Sequence, residues 1–158
     1  MRKLSMDELN RKTVEEFREA GKIPIIAILE NVRSAYNVGS VFRTADAFLL
    51  EAIYICGYTA YPPHKEIKKT ALGAEETVRW KHFKHIGEAI KELRDDGYRI
   101  YSVEQDTIAL TDGCIEIPQL GMKHSLNISV AAGVVLWELV RRRISNKEQG
   151  ISNDEGGG

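Results

Sequence analysis

The chain has 158 residues, with 22 basic and 23 acidic side chains, which suits one domain around a single core and gives no global electrostatic sign of a nucleic-acid partner. Cys56 and Cys114 lack metal-type spacing and read as buried free thiols of a reducing compartment, with no metal expected. No apolar run approaches the roughly 20 residues that cross a bilayer, and no signal peptide precedes the first helix, so the expectation is a cytoplasmic protein without membrane partners.

Ser5 followed by Glu8 fits a capping box. It predicts a helix reaching about Ala20, ended by Gly21 and Pro24. A buried strand follows at 25–29. A second helix is expected from about Asn37 to Leu50, with Val41, Phe42, Ala45 and Phe48 on one side. The second strand covers 52–56 and closes at Gly57. Tyr61-Pro62-Pro63 opens a loop region with a short helix near 64–70. Residues 78–83 read as a short strand. Ile86, Ala89, Ile90 and Leu93 recur at helical spacing, with Gly97 as C-cap. Residues 99–103 and 115–117 are extended. A last helix spans 127–143, and its first half is small and apolar: Ile128, Val130, Ala131, Ala132, Gly133, Val134. The polar tail 145–158 ends in three glycines and is expected to be disordered. Strands alternate with helices, so the fold class is α/β, a mostly parallel sheet flanked by helices. Residues 1–144 are read as one domain, the first 22 being a helical extension.

One connection breaks the pattern. Parallel neighbours need a crossover of about a dozen residues or more, usually a helix. Between Val103 and Ile115 only polar residues and the fragment Thr107-Ile108-Ala109-Leu110 occur. Either the sheet turns back in a hairpin here, or a strand, loop and helix are absent from this chain. In the second case Cα spacings above about 3.8 Å are expected between about Gln105 and Asp112.

Residues 31–43, Asn-Val-Arg-Ser-Ala-Tyr-Asn-Val-Gly-Ser-Val-Phe-Arg, follow the first strand. Ligands of open α/β sheets bind beyond the carboxyl ends of strands, and this turn sets two Asn, two Arg and a helix start there. Asn37 and Ser40 would serve equally as helix caps, with Arg43 solvated. A second segment, Ile115-Glu116-Ile117-Pro118-Gln119-Leu120-Gly121-Met122-Lys123-His124-Ser125-Leu126-Asn127, runs through a loop shaped by Pro118 and Gly121 into the small-residue helix.

Taken together, residues 31–43 and 116–133 resemble the first and third motifs of the SpoU/TrmH family of SPOUT-class RNA methyltransferases. Thr70-Ala71-Leu72-Gly73-Ala74-Glu75-Glu76 is similar to that family's loop after the second strand. The resemblance covers most of the chain between Ile23 and Arg142. It implies a SPOUT-type fold with a C-terminal trefoil knot, a rare exception to ordinary topology. It also implies S-adenosyl-L-methionine as methyl donor and a homodimer with the site at the subunit interface, near residues 36–43 and 125–137. The family's second motif, a Phe-Gly-Asn-Glu-like loop after an apolar strand, has no counterpart here. The gap falls where the crossover is lacking.

The resemblance implies Arg43 as the central catalytic residue, oriented by Asn37, with Ser125 and Asn127 completing the constellation. It places the cofactor against Val103, Ile117, Gly121 and Leu126. An ordinary arginine stays protonated and is a poor base, so Arg43 is better suited to stabilise the alkoxide or clamp a phosphate. Arg33, Lys65, Lys68 and Lys69 are the leading RNA contacts, ahead of Arg79, Lys81 and Lys84; Tyr36 could stack on a base. Arg141, Arg142 and Arg143 are expected to offset a helix C-terminal dipole. The implied activity is methylation of a ribose 2′-hydroxyl in tRNA or rRNA. A catalytically weak RNA-binding module and a small nucleotide-binding metabolic α/β enzyme are the alternatives. The second lacks any G-x-G-x-x-G or P-loop pattern.

Overall fold

The computed structural model describes residues 11–103, 110–123 and 125–154. The sheet is organised around Leu50–Cys56 (β2), which is buried at every position but Glu51. A strand covered on both faces reads as a continuous apolar run, and Leu-Glu-Ala-Ile-Tyr-Ile-Cys is one. It pairs in parallel with Ile23–Glu30 (β1) on one side and with Trp80–Phe83 (β3) on the other.

Parallel order requires helical crossovers, and Ala35–Ala47 (α2) supplies the first. Lys65–Ala71 (α3) and Ala74–Thr77 (α4) supply the second. The period-2 alternation of β2 divides the core. Ile53 and Ile55 face α2 and α3, where they meet Val38, Val41, Phe42 and Ile67. Ala52, Tyr54 and Cys56 face Ile86–Asp95 (α5) and pack with Ala89, Ile90 and Leu93. β1 has a partner on one side only among the described residues, and Leu29 is its one fully buried residue.

Among the described residues, the helical segment before Ala20 is short. Val14–Glu19 (α1) starts after Thr13, whose side chain accepts from the Glu16 N–H while Glu16 reaches back to the Thr13 N–H. The expected start at Ser5 and Glu8 lies outside the described residues, and residues 11–13 are not helical. The second helix begins earlier than Asn37. Ser34 is its N-cap, and its hydroxyl accepts from the Asn37 N–H at 3.3 Å. Asn37 and Ser40 are therefore inside the helix, and Arg43 stands on the third turn rather than the second.

The last two strands, Tyr101–Ser102 (β4) and Gly113–Cys114 (β5), pair with each other in parallel, separately from the main sheet. Of the two alternatives for this region, the hairpin is overturned: the ladder register, Tyr101 to Gly113 and Ser102 to Cys114, is parallel. The gap expected near Gln105 to Asp112, and the strand fragment at 107–110, fall mainly on residues 104–109, outside the described residues.

Ile128–Asp154 (α6) extends past Ser145, where disorder was expected. Arg141 and Arg142 are consequently mid-helix. They pair with Glu138 at 3.0 and 2.7 Å instead of serving a helix end, and the two guanidiniums hold the Glu138 carboxyl down at about 2. Leu136 and Val140 of α6 join the α2 side of the core.

Gly39 is where α2 and α3 touch backbone to backbone. A Cβ there would overlap Thr70 Oγ1 and the Ile67 carbonyl. Gly39→Ala should force the helices apart and cost about 1–3 kcal/mol, read as a lower denaturation midpoint at unchanged m-value.

Candidate active site

Parallel pairing brings the ends of β1 and β2 to one edge of the sheet, where Glu30 lies beside Cys56. The two following loops are tied to each other. Thr59 is only 1% exposed, and its Oγ1 accepts from the Val32 N–H at 2.9 Å. The same hydroxyl donates to the Cys56 carbonyl at 2.9 Å. Asn31, in the left-handed region at φ 49°, turns its Oδ1 to accept from the Tyr58 N–H at 3.2 Å. Gly57, at φ +66°, leaves the space that Asn31 Oδ1 occupies; a Cβ there would collide with it. In the first turn of α2, the Tyr36 carbonyl accepts from Thr70 Oγ1 at 2.7 Å, which ties α2 to α3.

This frame presents one face of α2 to solvent. Tyr36 is 42% exposed, and Arg43 is exposed with no hydrogen bond or ion pair among the described residues. The Asn37 side chain, half-buried, likewise has no hydrogen-bond partner among them. Arg33 is exposed on the loop, and Lys65, Lys68 and Lys69 are exposed on α3.

Ser125 and Asn127 stand at the start of α6, both exposed. Asn127 caps that helix, its Oδ1 accepting from the Ser129 N–H at 2.9 Å and the Ser129 hydroxyl at 2.7 Å. α2 and α6 share a core, and Phe48 meets Trp137 at 5.8 Å between ring centroids. No hydrogen bond joins Arg43 or Asn37 to Ser125 or Asn127. The four expected catalytic residues are thus held at two stations on packed helices.

Of the expected cofactor residues, Val103 directly follows β4 and Ile117 comes three residues after β5. Val103 is 38% exposed, and the Ile115 N–H donates to the Ser102 carbonyl at 2.7 Å. Ile117 is half-buried, while Gly121 and Leu126 are exposed, as are Leu120 and Met122. Backbone groups from Ile117 to Lys123, together with Ser125 and Leu126, make no hydrogen bond among the described residues. Open amide groups beside exposed aliphatic side chains suit an adenosine, which needs both polar edge contacts and apolar faces. No group of three or more His, Cys, Asp or Glu is placed to hold a metal among the described residues.

The cysteines take no part in this arrangement. Cys56 is fully buried, and burial, with Glu30 and Glu88 nearby, pushes its thiol up to about 12. Cys114 is half-buried, not buried as expected, because β5 has only β4 beside it. The residues that sequence reasoning missed are Thr59 and the aromatic group Tyr61, Trp80 and His82. Gly57-Tyr58-Thr59 reads as an ordinary turn, and only the parallel register places Thr59 under Val32.

The site thus comprises a parallel α/β sheet with a polar turn and an arginine-bearing helix after its first strand, and a second loop that feeds a small-residue helix. The model of the SpoU rRNA Methylase family matches residues 24–112, and the chain belongs to that family. Among relatives, the tRNA (guanosine(18)-2′-O)-methyltransferase of Thermus thermophilus is 29% identical over 167 residues, covering 87% of this chain and 84% of its own. That span exceeds the 158 residues of the chain, so the relative carries residues with no counterpart here. The 23S rRNA (guanosine-2′-O-)-methyltransferase RlmB of Vibrio parahaemolyticus is 27% identical, with 89% and 68% of the two chains covered. The solved TrmH/SpoU tRNA modifying enzyme of A. aeolicus matches the fold at TM-score 0.72 and 20% identity, over 85% of this chain and 84% of that one.

Thr59→Val keeps the shape but leaves the Val32 N–H without its acceptor. It should cost about 1–3 kcal/mol, measured by chemical denaturation. Cys114 should react with an aromatic disulfide reagent well before Cys56 in the native protein, by timed absorbance. Above about pH 9 the unfolded Cys56 thiol ionises while the folded one holds its proton to about 12. Stability should therefore fall as pH rises through that window, and Cys56→Ala should remove this component of the loss.

Proposed function

We propose that the protein methylates a ribose 2′-hydroxyl in tRNA or rRNA, using S-adenosyl-L-methionine. The observation that carries this reading is Arg43. It is exposed, unpaired among the described residues, and set on the helix after β1 beside a loop that Thr59 and Asn31 hold still. A cation that balances no protein charge is available for a substrate oxygen or phosphate.

S-adenosyl-L-methionine supplies an electrophilic methyl on a sulfonium centre. The chain's task is to align the hydroxyl with it and stabilise the oxygen as its proton leaves. Arg43, permanently charged, serves as the electrostatic stabiliser or phosphate clamp. Asn37, six residues earlier on α2, orients Arg43. Ser125 and Asn127 contribute from the start of α6; Asn127 does so while capping the helix. Val103, Ile117, Gly121 and Leu126 hold the cofactor through backbone groups and apolar contact. Arg33, Lys65, Lys68 and Lys69 contact RNA phosphates. The chain acts as one domain that includes α6 as far as Asp154, and works in the cytoplasm. It works as a homodimer, supported by the exposed apolar residues Val130, Val134 and Trp137 on α6 and by Tyr36 on α2.

A second reading, an RNA-binding module with little transfer activity, is supported by the short β4–β5 connection and the lack of a second-motif counterpart. Calorimetry with S-adenosyl-L-methionine separates the two. Binding supports transfer; RNA binding without cofactor binding supports the module.

Arg43→Ala should lower methyl transfer at least about a hundredfold and shift stability by no more than about 0.5 kcal/mol, because an exposed, unpaired side chain is removed. Radiolabelled methyl transfer and thermal denaturation measure the two effects. Arg43→Lys should also lose most activity, since a point charge does not reproduce the planar fork. Near-wild-type turnover in either variant would remove Arg43 from the mechanism.

A further inference from the structure

We propose that Tyr61, with His82 and Trp80 beneath it, is a stacking platform for an unpaired base of the RNA. The proposal rests on RNA being the substrate and adds where, beyond the reacting nucleotide, a base is held.

Parallel pairing sends the chain out of β2 at the same end as the site. The loop then returns over the outer strand. Tyr61 lies 4.4 Å from His82 and 5.8 Å from Trp80, centroid to centroid, with the rings inclined by 37° and 32°. Trp80 and His82 alternate along β3 and so share one face of the sheet. His82 is fixed from below, its Nε2 standing 3.2 Å from the Gly57 carbonyl, so that nitrogen carries the proton and donates. Trp80 is anchored in the core cluster of α2 and α3. The three rings are therefore supported from within, yet Tyr61 remains 47% exposed and neighbouring Tyr58 is 62% exposed.

An exposed tyrosine held by two other rings offers a rigid, pre-positioned face on which another planar ring can stack. The charge nearby indicates the occupant. His64 and Lys65 follow Pro62-Pro63 directly, and both are exposed, as are Lys68 and Lys69. Aromatic faces flanked by cations are how single-stranded nucleic acid is held, the cations tracking phosphates and the rings stacking bases. β3 is two strands from β1, so the platform sits about 10 Å across the sheet from the strand that leads to Arg43. A base there belongs to a nucleotide near the methylated one, not to the methylated one itself.

The test compares a decamer of adenylate with an abasic ribose-phosphate decamer, which keeps the phosphates and lacks the bases. Wild-type protein should bind the adenylate about tenfold more tightly. Tyr61→Leu should lose that preference while binding the abasic strand as before, and Tyr61→Phe should keep it. Calorimetry with S-adenosyl-L-methionine on the same proteins should give equal affinities. No wild-type preference for bases, or a preference that survives in Tyr61→Leu, overturns the platform. If cofactor binding persists in that case, the methyltransferase reading stands without it. Conversely, a Tyr61-dependent base preference with no cofactor binding in any variant supports the platform and counts against transfer.

Discussion

The Thr59 hydroxyl is the small constraint on which the site depends. Parallel strands deliver their loops to one end of a sheet but do not hold those loops together, and their first N–H groups have left the ladder. Thr59, buried at that end, gives the Val32 N–H an acceptor and the Cys56 carbonyl a donor. Two connections that would otherwise move independently become one piece. Asn31 adds a third tie through the Tyr58 N–H, made possible by a glycine at 57. Ser34 then caps α2 at a fixed place, which sets the direction in which Asn37 and Arg43 leave the helix.

The rigidity is unevenly distributed. The α2 station is braced by loop ties and by the close approach of Gly39 to α3, whereas residues 118–123 and 125–126 are exposed. This division suits a chemistry whose charged group must be prepositioned and whose cofactor is grasped by backbone. A preformed arginine needs little reorganisation when charge develops near it. An open loop can wrap a nucleoside and satisfy its own amides in doing so.

Much of this was legible from residue order. The apolar run at β2, the helical spacing of Val41, Phe42 and Ala45, and the turn residues after each strand marked alternating elements and hence a parallel sheet. The lack of room for a crossover before Ile115 was legible too, though the sequence pattern could not distinguish a hairpin from a short parallel ladder, since both use the same few extended residues. Helix ends were read less well. Ser5–Glu8 and Thr13–Glu16 offer the same capping chemistry, and local pattern does not choose between them. Similarly, the polar stretch after Ser145 looked unstructured because it has no apolar stripe, yet α6 continues through it. The ties made by Thr59 and the ring group around Tyr61 depend on register between strands, which no single segment encodes.

The position of β1 has a consequence for handling the protein. Its eight residues, Ile-Pro-Ile-Ile-Ala-Ile-Leu-Glu, are paired on one side only among the described residues. Among the described residues the far edge of the sheet, β3, is guarded by being only four residues long. β1 has Pro24 near one end and Glu30 at the other, but between them runs an uninterrupted aliphatic stretch. Such an edge is a template for intermolecular pairing. Concentrated solutions should therefore be limited by strand-to-strand association along β1 sooner than by unfolding of the domain, and a single lysine introduced at an outward position of that strand would act as a gatekeeper.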